Sequence, residues 1–277
     1  MQKTVLITGC SHGGIGHATA LALKKRGHRV FATAREQQDV EMLIGEGFEA
    51  YRLDVTDYTT MDSTLASILE KTGGTLDALF NNAGYGQPGA VEDIPTHALR
   101  EQFETNLFGL HELTRRVIPV MRPQGHGRII HHSSILGFIA LRFRGAYNAS
   151  KYAIEGLADT LRLELMGTGI HVATLNTGPV ISRFRENATK KFLENVDTEN
   201  SVHRDEYRTE VLKRAETKEE ITWTNRMPDA VVKRVIHALE SDRPKPRYYI
   251  TPATYILGTL KRLLSTRMLD WVLRKVQ

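Results

Sequence analysis

Residues 8–16, with the sequence TGCSHGGIG, form a glycine-rich stretch that could bind phosphate. The stretch follows the apolar run VLI, and its glycines are Gly9, Gly13, Gly14 and Gly16. Glycine lets the backbone turn tightly and approach a pyrophosphate, and free N–H groups at the start of a following helix attract the anion. Glycine-rich turns without a ligand are also common, so this loop alone is a weak indication of a dinucleotide site.

Polar side chains follow later in the chain. Tyr147 and Lys151 are four residues apart, which places both on one face of a helix. Ser134 ends an apolar stretch, Asn106 lies in the segment ETNLFG, and residues 81–84 read NNAG. Each alone has an ordinary explanation: a solvated helix surface for the pair, a strand-end cap for Ser134, a helix N-cap for Asn106. Their meaning depends on the elements that position them.

Short apolar runs alternate with helical periodicity from the N-terminus to about residue 180. This alternation predicts an α/β fold, a Rossmann-type doubly wound parallel sheet with helices on both faces. We predict one domain over residues 1–277, and one helix from Thr105 to Met121 between Pro95 and Pro123. Ligands of such sheets bind at the carboxyl ends of the strands, where each motif above lies or begins the next helix.

Two later regions differ from this alternation. Residues 183–226 are rich in charge and poor in apolar periodicity, which predicts a mobile helical lid over the substrate. Residues 253–277 form a basic amphipathic extension. It could contact a membrane peripherally, but packing over the substrate cleft or against another subunit is the interpretation we favour.

Composition limits the class of protein. The chain has 277 residues, a net charge of +5 and one cysteine, Cys10. A lone cysteine forms no internal disulfide, and with no secretion signal or membrane span recognised we predict a cytoplasmic protein. No nucleic-acid motif accompanies the positive charge, so we expect no nucleic-acid partner. His131 and His132 are adjacent on a strand and point to opposite faces, so we predict no metal site there.

The glycine loop, NNAG, Asn106, Ser134 and the Tyr147–Lys151 pair together resemble the short-chain dehydrogenase/reductase family in order and spacing. The resemblance runs from Lys3 to about Arg185. Within the family, TGCS, the arginine after the second strand, SKYA and GP-x-x-[ST]-RF are similar to bacterial NADPH-dependent aldehyde reductases. They are also similar to hydroxysteroid, retinol and acyl-dihydroxyacetone-phosphate reductases.

The resemblance implies reversible hydride transfer between a nicotinamide cofactor and a carbonyl or alcohol. Its catalytic residues would be Asn106, Ser134, Tyr147 and Lys151. Tyr147 would exchange the proton, and lowering its pKa from about 10 to about 7 needs roughly 4 kcal/mol, supplied partly by Lys151 and partly by the positive charge of the oxidised nicotinamide. Ser134 would hold the substrate oxygen, and Asn106 would fix a water that links Lys151 to solvent. A homodimer or homotetramer is expected through the helices of Asn106 and Tyr147. The alternative is a non-catalytic NADPH-binding regulator of the same fold, which would have less need of all four residues.

The cofactor prediction is NADP(H). The second strand ends in Arg35 rather than in an acidic residue, and an arginine can bind a 2′-phosphate in a bidentate manner. Glu36 follows and is expected to turn away. The cofactor-binding residues implied by the family are Gly9, Ser11, His12, Gly14, Ile15, Gly16, Arg35, Asp54, Val55, Asn82, Ala83, Gly84, Tyr147, Lys151, Gly178, Val180 and Ser182.

Two departures from the family pattern concern this site. The loop has four residues between its first glycine and Gly14, one more than usual, and His12 in this insertion either reaches a phosphate or faces solvent, which we favour. Thr177 replaces the first proline of the usual Pro-Gly, so the backbone there is expected to be less rigid.

The expected substrate is an apolar aldehyde or ketone. The residues predicted to lie near its carbonyl are Ile135, Leu136, Phe138, Leu141 and Phe143. Arg142 and Arg144 add charge nearby, and we expect solvent exposure for them more than an anionic substrate group.

Overall fold

The computed structural model describes residues 1–213, 222 and 224–275. Seven parallel strands form one sheet in the order β3-β2-β1-β4-β5-β6-β7. The strands are β1 Thr4–Ile7, β2 Arg29–Ala34, β3 Glu49–Arg52, β4 Ala78–Asn81, β5 Gly127–Ser134, β6 Ile170–Thr177 and β7 Arg247–Tyr249. The predicted Rossmann-type sheet is confirmed, and every carboxyl end lies on one edge.

Helices cover both faces of the sheet. The helices before the lid are α1 Ile15–Lys25, α2 Gln37–Gly45, α3 Tyr58–Thr72, α4 Thr96–Phe103, α5 Gly109–Gln124 and α6 Gly145–Glu164. The later helices are α7 Phe184–Asn195, α8 Arg204–Glu206, α9 Asp229–Glu240, α10 Pro252–Leu263 and α11 Thr266–Leu273. Among the described residues, no helix is both long enough and apolar enough to cross a membrane.

The core has one apolar layer on each face of the sheet. In β1, Val5 and Ile7 pack into one layer and Leu6 into the other, because successive strand side chains point to opposite faces. The first layer lies under α1, α2 and α9, and the second under α3, α5 and α6. Strands buried on both faces explain the continuous apolar runs of the sequence.

The helix predicted from Thr105 is longer than expected. It begins at Thr96 after Pro95, passes through a π turn at Glu104–Phe108, and continues as α5 to Gln124. The sequence prediction missed α4 because the residues of this helix are mostly polar. Pro123 lies inside the last turn, and the helix ends where Gly125 takes a left-handed conformation with φ of 69°.

The region predicted as a lid contains α7, α8 and a second π turn at Tyr207–Leu212. Phe192 and Tyr207 are fully buried, and both pack with Ala90 in a small apolar cluster of their own. This cluster attaches the lid to the loop after β4. Residues 214–221 and 223 of the predicted lid, and residues 276–277 of the predicted extension, lie outside the described residues.

Candidate active site

The glycine-rich loop joins β1 to α1 and packs against the end of β4. Gly9 and Gly13 each have a φ of 71°, which glycine adopts without steric cost. Gly16 packs so closely that a Cβ there would lie 2.4 Å from the Gly9 carbonyl oxygen. The Asn82 side chain donates hydrogen bonds to the carbonyl oxygens of Thr8 and Gly9, at 3.0 and 2.9 Å. The loop therefore has a fixed shape that only glycine permits.

Neighbouring predicted residues complete this loop region. The Gly14 N–H donates to the Ser11 carbonyl oxygen at 3.0 Å, and Ile15 begins α1. Ala83 and Gly84 continue the loop after β4. These residues all lie at the carboxyl edge of the sheet, as expected for a dinucleotide cradle.

The His12 ring is exposed and lies toward α2. Its Nδ1 is 3.2 Å from Met42 Sδ, and its backbone N–H donates to Asp39 at 3.3 Å. The ring is also 5.3 Å from that of His17, which pairs with Glu46 at 2.7 Å. Ligand atoms of these two histidines and Glu46 lie within 4.8 Å of one another. The His17–Glu46 hydrogen bond accounts for this grouping, and we assign no metal to it.

Arg35 extends into solvent just beyond the end of β2. Its side chain is 68% exposed, and its Nε donates to the Glu36 carboxylate at 2.9 Å. Glu36 is exposed and pairs with this adjacent cation, and its orientation away from the cofactor ribose stays a prediction. After β3, one oxygen of Asp54 accepts from the N–H and hydroxyl of Thr56, at 2.9 and 2.8 Å, and Val55 is buried. The second Asp54 oxygen is therefore the one left for a ligand.

Ser134 is buried at the carboxyl end of β5. Its Oγ accepts from the Leu136 N–H at 3.1 Å and donates to the Thr177 carbonyl oxygen at 3.3 Å. Ser134 therefore caps the end of β5, which is the ordinary role that the sequence also allowed for this residue. The Ser134 side chain also opposes the rise of the Tyr147 pKa in part, which places this hydroxyl beside the phenol.

Tyr147 and Lys151 lie on one face of α6, as predicted. The Lys151 Nζ is 5.5 Å from the Tyr147 ring centroid and donates to the His132 carbonyl oxygen at 2.7 Å. Burial lowers the pKa of Lys151 to about 8, although the Glu155 carboxylate raises it in part. The lysine is therefore a buried cation close to its titration point at neutral pH.

The residues of the protein alone do not lower the pKa of Tyr147. Burial raises the pKa of Tyr147 to about 12, and the bond to Ser134 opposes this only in part. The Lys151 Nζ lies 5.5 Å from the ring centroid and donates to the His132 carbonyl oxygen, and the desolvation of a phenolate outweighs the effect of its charge. Tyr147 is consequently a protonated acid across the physiological range.

Asn106 lies in the π turn between α4 and α5 and is buried. Its Oδ1 accepts from the Tyr85 N–H at 3.1 Å, and its Nδ2 donates to the Tyr85 carbonyl oxygen and to Ser150, at 3.0 and 3.2 Å. The side chain therefore joins the loop after β4 to α6. A π turn inside an α-helix is rare and frequent at functional sites. The water-binding role of Asn106 stays a prediction.

His132 connects three strand ends, which the sequence did not reveal. Its Nδ1 is 2.9 Å from Asn82 Oδ1 and its Nε2 is 3.0 Å from Thr177 Oγ1. Burial and the Lys151 charge lower the pKa of His132 to about 3, so the ring is neutral. Thr177, in place of a proline, thus anchors the end of β6 by its hydroxyl. His131 faces the other way, toward Asn81, as predicted.

The apolar residues predicted near the carbonyl mostly line one wall beside Tyr147. This wall contains Ile135, Leu136, Phe138 and Leu141, packed against Leu257, Leu269 and Leu273 of the C-terminal helices. The C-terminal extension therefore packs against the apolar wall through its buried face, which agrees with the interpretation we favoured.

Phe143 is a correction to that prediction. It packs in the lid cluster, with its ring 5.2 Å from that of Tyr207, and has an unusual positive φ of 56°. Arg142 pairs with Glu206 and Glu210 of the lid, at 3.0 and 3.7 Å. The side chains of Phe143 and Arg142 therefore contact the lid, because the chain before α6 turns away from the apolar wall.

The end of β6 leads into the lid beside Tyr147. A Cβ on Gly178 would lie 2.0 Å from the Thr251 hydroxyl. Val180 forms an isolated bridge further along, and the Ser182 hydroxyl accepts from the Phe184 N–H at 3.4 Å. The Phe184 ring lies 5.4 Å from that of Tyr147, an aromatic contact that sequence reasoning missed.

Comparisons with known proteins agree with this geometry. A family model described as short chain dehydrogenase matches residues 3–192. An uncharacterized oxidoreductase, YbbO of Escherichia coli, is 39% identical over 99% of this chain and 95% of its own. The NADPH-dependent 1-acyldihydroxyacetone phosphate reductase of Schizosaccharomyces pombe is 30% identical over 85% of this chain and 79% of its own.

A solved structure of a short-chain dehydrogenase from Streptomyces avermitilis superposes with a TM-score of 0.76. It is 29% identical and covers 95% of this chain and 93% of its own. The family model covers well over half of the chain, and the relatives match nearly all of it. The chain therefore belongs to the short-chain dehydrogenase family.

Proposed function

We propose that this protein reduces the carbonyl of an apolar aldehyde or ketone with NADPH, and oxidises the alcohol in the reverse direction. The observation that carries the proposal is the meeting of Ser134, Tyr147 and Lys151 at one point of the sheet edge, between the glycine loop and an apolar wall. A proton donor, an oxygen-binding hydroxyl and a buried cation are the groups that carbonyl reduction requires from a protein.

The residues present fit NADP(H). Gly13, Gly14 and Gly16 carry no side chains at the start of α1, which lets a pyrophosphate approach the backbone there, and the exposed Arg35 guanidinium is available to a 2′-phosphate. Bound there, the cofactor would supply the hydride. The S. pombe relative is named as an NADPH-dependent enzyme, which supports the same cofactor here.

In reduction, Ser134 holds the carbonyl oxygen and Tyr147 donates its proton to that oxygen as negative charge develops. With a pKa raised to about 12, the phenol is fully protonated and available as the acid. Lys151 stabilises the resulting tyrosinate. Phe184 and the lid cover the Tyr147 ring and limit the access of water.

The wall of Ile135, Leu136, Phe138 and Leu141 supports an apolar substrate. A hydroxysteroid, retinol-type or acyl-dihydroxyacetone-phosphate substrate is the second candidate within the same chemistry. The test is NADPH oxidation with medium-chain aldehydes, ketosteroids, retinal and 1-acyl-dihydroxyacetone phosphate. NADPH binding without turnover on any of them would favour a non-catalytic regulator instead.

Arg35→Ala is expected to weaken NADPH binding by about 10- to 100-fold and to change NADH binding less than about two-fold. A charge-assisted hydrogen-bond pair to phosphate is worth about 1.5–3 kcal/mol, and only NADPH carries the 2′-phosphate. Fluorescence titration of both cofactors measures the effect, with the distant exposed Arg122→Ala as control. Equal losses for NADPH and NADH would show that Arg35 does not recognise the phosphate.

The pH dependence of reduction should follow Lys151. Its pKa is lowered from 10.5 to about 8, so the cation is present below pH 8 and is lost as the pH rises through that value. We expect kcat/KM for reduction to be level below pH 8 and to fall up to about ten-fold per unit above it. Lys151→Arg, whose guanidinium stays charged, should retain partial activity with a level profile to pH 10. A wild-type profile that stays level to pH 10 would contradict the assignment.

We also propose a homodimer or homotetramer, formed through the helices that carry Asn106 and Tyr147. Exposed apolar side chains on these helices support this: Phe108 is 44%, Leu157 41% and Leu163 64% exposed. Light scattering after size-exclusion chromatography measures the mass directly, and a monomer at micromolar concentration would contradict the proposal.

The outer face of the C-terminal extension supports peripheral membrane contact by a cytoplasmic protein. Leu263 is 75%, Met268 56% and Trp271 61% exposed, and Lys275 Nζ lies 3.7 Å from the Trp271 ring. Co-sedimentation with anionic vesicles should decrease in the Leu263→Ser/Trp271→Ser variant. Equal sedimentation of both proteins would contradict this contact.

A further inference from the structure

A recess of about 320 Å³ lies away from the candidate active site, beside the edge strand β7. Arg234 and His237 of α9 form one side, Lys245 and Arg247 come from the chain around the start of β7, and Arg262 of α10 forms the other side. Neither the glycine loop nor the Ser134–Tyr147–Lys151 group contributes to it. The proposed reductase function therefore leaves this recess unexplained.

The charge of the recess is one-sided. Four permanently charged cations line it, and none of the described residues that line it is acidic. Arg247 is neutralised by Glu155 and Asp159. Among the described residues, no carboxylate lies within 4.0 Å of the charged groups of Arg234, Lys245 or Arg262, although ion pairs are common elsewhere on the surface. Three clustered cations without counter-charges repel one another, and an anion between them would remove this repulsion.

The floor of the recess is rigid and aromatic. The Tyr248 hydroxyl accepts from the Lys245 N–H at 2.9 Å and lies 2.9 Å from His237 Nδ1. These two contacts fix the chain that leads into β7 and the His237 imidazole. Tyr248 is only 4% exposed. The rings of Tyr249 and Tyr255 pack edge-to-face at 5.5 Å and form a wall. Arg234 and Arg262 are thus carried on helices, and the loop residue Lys245 is held next to β7 by its backbone hydrogen bond to Tyr248.

We propose that this recess binds a phosphate group. Guanidinium groups match phosphate oxygens in a bidentate manner, and an ammonium group adds a further donor, so Arg234, Arg262 and Lys245 form a donor set suited to it. The phosphate could belong to a lipid headgroup or to a free phosphate compound. Ile256 and Leu263 are exposed on the same helix as Arg262, so α10 also offers apolar surface to a lipid.

The test is isothermal titration of the full-length protein with inorganic phosphate, and co-sedimentation with phosphatidylcholine vesicles with or without phosphatidic acid. The variant is Arg234→Gln/Lys245→Gln/Arg262→Gln. Its control, Lys25→Gln/Arg100→Gln/Arg122→Gln, removes the same charge from exposed positions elsewhere. We expect at least about a ten-fold loss of phosphate or vesicle affinity in the first variant and less than two-fold in the second.

The two arms identify the source of the phosphate. Binding of acidic vesicles with weak binding of inorganic phosphate indicates a headgroup, and the converse indicates a free compound. Phosphate held by the glycine loop would persist in the first variant, so only the difference between variants reports on the recess. Equal affinity of the two variants, or no binding by the wild type in either arm, would overturn the proposal. Arg262→Gln alone, an exposed change on a helix surface, repeats the test if the triple variant does not fold.

Discussion

Tyr147→Phe is expected to lower kcat for carbonyl reduction by about 10²- to 10⁴-fold, while NADPH affinity stays within about two-fold of wild type. The change removes one hydroxyl and keeps the ring that contacts Phe184 and Lys151. The lost group is the acid that we propose transfers its proton to the substrate oxygen, whereas Ser134 only hydrogen-bonds to that oxygen and keeps its own proton. Single-turnover kinetics with saturating NADPH measures the loss at the chemical step.

The matched control is Tyr152→Phe. Tyr152 lies on the same helix five residues further along and is 41% exposed, so its hydroxyl should contribute nothing to turnover. Turnover by Tyr147→Phe within ten-fold of wild type would show that another group supplies the proton. If both variants bind NADPH like wild type, neither has a folding defect or a damaged cofactor site. Any change in turnover then reports only on the assignment of Tyr147 as the acid.

The sheet and the placement of the site could be predicted because both follow from local patterns. Strands such as β1 and β4 are buried on two faces and are mostly apolar in sequence, and parallel strands must present their carboxyl ends together. Ser134 and Lys151 are therefore neighbours once the sheet order is known. The spacing of Tyr147 and Lys151 fixed their common face of α6 without any tertiary information.

Properties that depend on distant neighbours could not be predicted. The Tyr147 pKa is raised and not lowered, because the buried surroundings outweigh a lysine that points to the His132 carbonyl oxygen. The bridge from Asn82 through His132 to Thr177 joins three strands that are far apart in sequence. Phe143 joined the lid cluster for the same reason, since its backbone conformation is set by tertiary contacts.

This bridge gives a physical account of Thr177. A proline stiffens the backbone by fixing φ, whereas this threonine holds the strand end through a hydrogen bond to a neutral histidine. The His132 carbonyl oxygen in turn accepts from Lys151, so one residue positions both the strand end and the buried cation. Thr177 is thus linked to Lys151 through one residue, His132, whose side chain bonds to Thr177 and whose backbone carbonyl oxygen accepts from Lys151.

Gly16→Ala is expected to damage the cofactor cradle severely. The new Cβ would lie 2.4 Å from the Gly9 carbonyl oxygen and 2.6 Å from Asn82 Nδ2. Neither atom can move freely, because they hydrogen-bond to each other at 2.9 Å and hold the loop against β4. Helix α1 must therefore shift away from the loop, at a cost of about 1–3 kcal/mol in the free energy of unfolding.

We expect NADPH affinity to fall at least about ten-fold in Gly16→Ala, since the helix N-terminus and the loop would no longer address the same phosphates. The control is Gly156→Ala in α6, where no atom lies within 4 Å of the added Cβ. That variant should bind NADPH normally and be unchanged or up to about 1 kcal/mol more stable, because alanine favours the helix. Thermal unfolding with and without NADPH measures both effects. A Gly16→Ala variant that is destabilised but binds NADPH like wild type would place the pyrophosphate elsewhere, and would leave the glycines of residues 8–16 with a packing role alone.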